Sequence, residues 1–256
     1  MLVQRLHILS LFPAVLIASV LDLSVANAAG MNCNGACSWS VAVDDREIGS
    51  GWYSVDGNGD IVLNAPWSMD LGNGSSVRVD TMSGNIDPIV GFGLGATTGA
   101  AGKTFTFNFS LPIALSGSIS ANSSVSYSLT SLSDAGAQIT PLFGHVVTAQ
   151  EVDTSVGGLA PLNKGVDVGD TFSVLGGPTS ASSPVYTAVN MFVGDIAYDL
   201  MSVTVAFALS SNSTVGVSGF VQQLPTPVPL PAALPLLLSG LAALGFGAVK
   251  HGKHTG

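Results

Sequence analysis

The sequence predicts an all-β fold, and three observations support this class. Segments that alternate apolar and polar residues, as strands with one buried face do, recur at 105–109, 125–129, 203–209 and 215–221. Clusters of turn-forming residues, such as Asp-Gly-Asn-Gly at 56–59, separate such segments. No apolar stripe with a helical period lies between the two hydrophobic ends. Many strands joined by turns predict an antiparallel β-sandwich, jelly-roll-like or immunoglobulin-like, with a barrel as the alternative.

The chain is polar but weakly charged, and this composition limits the classes of partner that it can bind. Charged residues make up 9% of the sequence and the net charge is −9 at pH 7, whereas an ordinary soluble domain has ~25% charged residues. Phosphate binding requires a basic face, so this balance argues against a nucleic-acid partner. Uncharged polar residues suit exposed strand faces and turns, and residues 29–222 are predicted to form one outer domain.

The N-terminus has the pattern of a secretory signal peptide over residues 1–28. An apolar run at 9–21 is followed by Ala26 and Ala28, which supply the small residues of an A-x-A cleavage site. An uncleaved anchor helix is the alternative. We favour cleavage because the apolar run is short and ends at Asp22.

The C-terminus combines a proline-rich linker, a charge-free stretch and a basic tip. The linker is predicted at 223–230, and residues 232–249 then contain no charged residue. At ~1.5 Å per residue this stretch is just long enough for one transmembrane helix across a ~30 Å hydrocarbon core. Lys250 and Lys253 follow it and are expected to hold the chain end in the cytoplasm. The topology places the outer domain outside the membrane.

These C-terminal residues resemble a known class of sorting signal. The triplet Pro229-Leu230-Pro231, the Ala/Leu/Gly-rich span after it and the basic tip are similar to a PEP-CTERM signal over residues 229–254. Leu replaces the glutamate of the family's usual Pro-Glu-Pro triplet, and the tip uses Lys and His in place of Arg. The resemblance implies recognition and cleavage by an exosortase, in a Gram-negative bacterium that makes exopolysaccharide. A plain membrane anchor is the alternative, and a GPI signal fits poorly because of the basic tip.

Cys33 and Cys37 are the only cysteines in the sequence. In an exported protein two cysteines are expected to form a disulfide. Free thiols and a metal site are the alternatives, and the metal site is disfavoured because no second Cys or His pair accompanies these residues. The loop that the disulfide would close is short, so its effect on stability should be small.

The tryptophans are the candidate ligand contacts. Trp39, Trp52 and Trp67 all lie in the first third of the outer domain, among Asp and Asn residues. An aromatic ring face can stack on the C–H bonds of a sugar while polar neighbours bind its hydroxyl groups. Packing in the core or between the sheets is the alternative interpretation for such large side chains.

Catalytic and metal motifs fail on their spacing. Residues 56–60 open like a calcium loop, but Ile61 and Trp67 stand where an EF-hand needs glycine and glutamate. His145 has no G-x-S-x-G nucleophile motif to serve. The sequence therefore predicts no enzyme, no metal site and no cofactor. Weak calcium binding by the acidic turn is the alternative to a simple Asp/Asn/Gly turn.

Together these features predict an exported surface or extracellular-matrix protein with a structural or adhesive role. Its expected partners are an exosortase, the membrane and exopolysaccharide. The precursor is expected in the inner membrane, with the mature domain periplasmic, on the cell surface or extracellular. The alternative function is a carbohydrate-binding module of the exopolysaccharide matrix. A secreted hydrolase is a third interpretation, because the two carboxylates of a glycosidase need only be close in space.

Overall fold

The computed structural model describes residues 37–56, 60–63, 65–85, 88–115, 117–152, 165–193 and 198–225. Within these residues the regular structure is β-sheet, as predicted. The strands are β1 (Ser38–Val43), β2 (Arg46–Trp52), β3 (Ser54–Val55), β4 (Asp60–Val62), β5 (Trp67–Gly72), β6 (Ser75–Asn85), β7 (Ile89–Thr98), β8 (Lys103–Leu115), β9 (Ile119–Ser131), β10 (Ala137–Pro141), β11 (Val147–Val152), β12 (Phe172–Val174), β13 (Ser180–Ser182), β14 (Tyr186–Phe192), β15 (Tyr198–Leu209) and β16 (Ser213–Pro225).

The strands form two antiparallel sheets. The seven-stranded sheet has the order β12-β10-β15-β8-β1-β2, and β11 also pairs with β15. The nine-stranded sheet has the order β13-β9-β16-β7-β6-β4-β3, with β14 also on β9 and β5 also on β6. The predicted antiparallel, sandwich-like all-β class is therefore confirmed. In the part of the chain described, no helix has the length and apolar character needed to cross a bilayer.

The alternating segments form the core between the two sheets. Phe105, Phe107 and Phe109 on β8 are almost completely buried, while the residues between them are only partly buried. Phe107 packs against Phe207 of β15 with ring centroids 6.2 Å apart. Phe109 stacks on Phe92 of β7, in the other sheet, at 6.0 Å. Each buried side chain of this size contributes roughly 1.5–3 kcal/mol relative to an exposed one.

The hairpin of β15 and β16 contributes one strand to each sheet. β15 lies beside β8, whereas β16 lies between β9 and β7. β16 pairs with β9 as far as Pro225, and Gln223 is completely buried. The last strand thus continues past residue 222, where the sequence alone places the end of the outer domain.

The turn between β1 and β2 is a two-residue hairpin. Asp44 and Asp45 both have positive φ angles, 50° and 63°, as the favoured two-residue hairpin turns require. The Asp44 carboxylate accepts hydrogen bonds from Lys103 Nζ at 2.9 Å and from the Thr104 backbone N–H at 3.0 Å. The hydrogen bond from Lys103 is the main cause that lowers the pKa of Asp44.

This pKa shift predicts a small, pH-dependent contribution to stability. The ionised carboxylate should stabilise the fold above its unfolded-state pKa of ~3.9, and this contribution should disappear as the pH falls through the lower folded-state value. Because the side chain is half exposed, Asp44→Asn should cost less than ~1 kcal/mol near neutral pH. Urea denaturation of both proteins should show a difference near pH 7 that vanishes at strongly acidic pH. An equal difference at both pH values would contradict the assignment.

Candidate functional site

The outer face of the nine-stranded sheet is lined by small polar residues. Directly paired residues of antiparallel strands point to the same face. Across β9, β16, β7 and β6 the register therefore forms three consecutive cross-strand rows: Ser128, Gly216, Gly95 and Arg78; then Ser126, Ser218, Gly93 and Thr81; then Ser124, Phe220, Gly91 and Ser83. These rows contain serine, threonine and glycine at all positions except Arg78 and Phe220.

The rows line a shallow groove. One depression of about 430 Å³ is lined by Arg78, Asp80 and Ser128, among others. A second depression of about 470 Å³ includes Thr81 and Ser124. Both are also lined by Ser126 and Ser218. The two depressions therefore adjoin at Ser126 and Ser218, and together they are called the groove.

Glycines form the floor of this groove in two ways. On β7, a Cβ added at Gly95 would lie 2.2 Å from Arg78 Nε, and one at Gly93 would lie 2.5 Å from Thr81 Oγ1. Side chains of β6 thus lie directly across the β7 backbone. On β16, a Cβ at Gly216 would have no atom nearer than Ser128 Cβ at 4.0 Å. Gly216 therefore leaves open space above bare backbone.

The groove offers hydroxyl groups and a single ion pair. Arg78 Nε lies 3.0 Å from Asp80 Oδ2, with 57% and 41% of the two side chains exposed. Ser126 Oγ and Ser218 Oγ are 3.3 Å apart and share a hydrogen bond. Each serine hydroxyl can donate one hydrogen bond and accept two. The surface can thus bind a polar ligand that carries both donors and acceptors.

None of the three tryptophans predicted as ligand contacts lines this groove, and two of them pack against each other. Trp39 is only 6% exposed, on the inner face of β1. Its ring centroid lies 5.3 Å from that of Trp67, which belongs to the other sheet. Trp52 pairs with Ser38 at the edge of the seven-stranded sheet and is 61% exposed. Trp39 and Trp67 therefore pack between the sheets, and Trp52 is the member of this set with a largely exposed ring.

The predicted disulfide lies partly outside the described ranges, and the predicted cleavage and sorting residues lie wholly outside them. Cys37 is buried and disulfide-bonded, and Cys33 lies outside these ranges, so their pairing stays a prediction. The signal-cleavage and sorting residues also lie outside them: Ala26, Ala28, Pro229, Leu230, Pro231, Lys250 and Lys253.

The acidic residues Asp56 and Asp60 and the histidine His145 have local contacts. The Asp60 backbone N–H donates to Asp56 Oδ1 at 3.0 Å, and the Asp56 N–H donates to the Asp60 carbonyl oxygen at 2.8 Å. These two bonds join the end of β3 to the start of β4. His145 Nδ1 lies 3.6 Å from Asp170 Oδ1, which is beyond hydrogen-bond distance. Over the described residues, no group of three His, Cys, Asp or Glu side chains could hold a metal ion.

Comparison with known proteins gives only distant likenesses. No family model matches the sequence, and no curated protein is significantly similar to it. The enzymatically active domain of tailspike protein 4 from bacteriophage CBA120 has 12% identity and a TM-score of 0.27, over 66% of this chain and 20% of that one. The structure of TmCBM61 in complex with β-1,4-galactotriose has 10% identity and a TM-score of 0.26, over 73% and 88%. This chain thus spans about one fifth of the tailspike chain, and both TM-scores are low.

Proposed function

We propose that this chain is an exported surface protein with an adhesive role, and that its β-sandwich binds polysaccharide along the groove. The observation that carries the proposal is the open floor at Gly216, bordered by Ser128 in its own row and by Ser126 and Ser218 in the next row. Polysaccharides present repeated hydroxyl groups, and serine side chains can both donate to and accept from them. Four strands spaced ~4.8 Å apart span about 14 Å, a width that suits a short stretch of an extended chain.

A binding role fits the groove better than hydrolysis does. Glycoside hydrolysis normally requires two carboxyl groups about 5–10 Å apart. Among the described residues that line the groove, Asp80 is the single carboxylate. It is already paired with Arg78 at 3.0 Å. We therefore propose a non-enzymatic surface, and we do not retain the secreted hydrolase as a candidate function.

We further propose that the protein reaches the surface by its two terminal segments. The predicted signal peptide at 1–28 would direct export, and the apolar stretch at 232–249 would hold the precursor in the inner membrane. An exosortase would then process the chain near Pro229-Leu230-Pro231. The mature domain would lie outside the cytoplasm, where exopolysaccharide is available to the groove.

Substitution Gly216→Leu tests the binding proposal. The added side chain enters open space and requires no strained backbone angle, so the fold should persist while the groove is blocked. Full-length protein in mild detergent should bind at least one polysaccharide on a glycan array, and the variant should lose that binding by about tenfold or more, because several hydrogen bonds are lost. Ser202→Leu, on β15 of the other sheet, is the matched control and should bind as the parent does.

Two results would contradict the proposal. One is a parent protein that binds no glycan on a broad array, and the other is undiminished binding by Gly216→Leu. In either case a purely structural role would replace the adhesive one.

A further inference from the structure

A β-bulge interrupts β6 where this strand borders the groove. Val79 pairs with Leu94, but the next pair joins Thr81 to Gly93, so Asp80 is an extra residue in β6. The burial pattern changes phase at the same place, because Val77, Val79 and Met82 are buried with spacings of two and then three residues. Bulges re-aim side chains and are common beside functional sites.

The bulge brings three different polar groups to the groove side of one strand. In a regular strand, side chains at 78 and 80 would share a face and that at 81 would point to the other. Here Arg78, Asp80 and Thr81 are all solvent-accessible; Arg78 and Asp80 line the first depression and Thr81 lines the second. β6 thus presents a guanidinium, a carboxylate and a hydroxyl side by side.

The guanidinium is held in a defined position. Arg78 Nε forms an ion pair with Asp80 Oδ2 at 3.0 Å, and the Arg78 side chain lies across the backbone of Gly95, where a Cβ would come within 2.2 Å of Nε. Because Asp80 contacts Nε, the two terminal NH₂ groups of the planar guanidinium remain available as a fork of donors. Such a fork binds two neighbouring oxygen atoms in one plane.

The surrounding charge indicates which kind of oxygen the fork would bind. Asp80 offsets the charge of Arg78, and the chain as a whole carries a net charge of −9. A carboxylated or sulfated polymer would be repelled at long range and would meet Asp80 at the site. A neutral sugar would not, and its adjacent hydroxyl groups can accept from Arg78 while donating to Asp80.

We propose that Arg78, Asp80 and Thr81 form the specificity-determining part of the groove and recognise adjacent hydroxyl groups of a neutral polysaccharide. This inference rests on the proposed polysaccharide binding and adds the ligand class and the residues that select it. Gly95 is a positioning residue in this scheme, because any side chain there would displace Arg78.

The inference is tested with neutral and acidic polysaccharides and with pairs of neutral oligosaccharides that differ in the configuration of one hydroxyl group. The parent should prefer neutral ligands and distinguish between such epimers. Its affinity should change less than about twofold when the ionic strength rises from 0.05 to 0.5 M, since a neutral ligand makes no screened charge contact. Arg78→Lys keeps the charge but loses the fork, and it should weaken binding by about tenfold or more and reduce epimer selectivity. Asp80→Asn should also reduce the selectivity.

Gly95→Ala tests the positioning role without changing any ligand-contacting group. It should reduce epimer selectivity as Arg78→Lys does. Arg46→Lys, on β2 of the other sheet, is the matched control and should leave binding unchanged. If the parent binds glycans and Gly216→Leu abolishes that binding, but Arg78→Lys retains full affinity and selectivity, this inference is wrong while the proposed function stands. Preference for acidic polymers, with affinity that falls steeply with salt, would overturn it as well.

Discussion

Replacing Phe107 by alanine is expected to destabilise the protein by about 3–5 kcal/mol, the usual range when a fully buried aromatic side chain is removed from a core. Phe107 is completely buried, pairs with Val41 and Val205 on its two neighbouring strands, and packs against the ring of Phe207. Its removal should therefore leave a cavity on the inner face of the seven-stranded sheet, because the two flanking strands fix the surrounding side chains.

Phe143→Ala supplies the comparison for this experiment. Phe143 is 64% exposed, so its truncation should change the free energy of unfolding by no more than about 0.5 kcal/mol. Urea denaturation followed by tryptophan fluorescence measures both variants. Equal losses for the two phenylalanines would show that the core does not lie between these sheets.

Replacing Pro229 and Pro231 by alanine is expected to block C-terminal processing completely while membrane insertion continues. In the proposed route, insertion would depend on the apolar side chains of residues 232–249 and on a helical backbone that satisfies its own hydrogen bonds. The double substitution would change neither. A stiff, extended segment just outside the membrane has no helical hydrogen bonds for a protease to break. The double variant should therefore accumulate as a full-length precursor in the inner membrane.

A peptide tag placed after Gly256 provides the measurement. In a host with a working exosortase, the parent should lose this tag and the double variant should keep it, as seen by immunoblotting of the inner-membrane fraction. Replacing Pro225 alone, outside the triplet, is the control and should leave processing intact. Retention of the tag on the mature surface form of the parent would establish a plain anchor in place of a sorting signal.

The strands of the core could be predicted from the sequence because their signal is local. Alternation at 105–109 and 203–209 predicts one buried face in each segment, and the structure confirms both. The pairing of those strands could not be predicted. β8 and β15 are far apart in the sequence, and an alternating pattern does not indicate which strand lies beside which. The composition predicts exposed polar faces, but the sequence does not indicate that Gly95, Gly216 and Ser128 lie in one row.

The sequence could not decide whether the tryptophans contact a ligand or pack in the core, because that packing also depends on the arrangement of distant strands. An aromatic residue that stacks on a sugar and one that packs between sheets look alike in a sequence. Trp39 occupies an inward position of β1 and contacts Trp67 across the sandwich, a relation that depends on two distant strands. The bulge at Asp80 does have a local signal in the sequence. The spacing between the apolar positions Val77, Val79 and Met82 changes there from two residues to three.

The central position of β16 would have a mechanical consequence for any form of the protein that is tethered through its C-terminal side. β16 supplies Gly216 and Ser218 to the groove, and it also leads to Pro225, where the chain continues toward the proposed anchor. Force applied between a bound ligand and a C-terminal tether would therefore reach the tether through β16 and pull lengthwise on this strand. Its hydrogen bonds to β9 and β7 lie perpendicular to that direction, so they bear the load together in shear and do not open one after another.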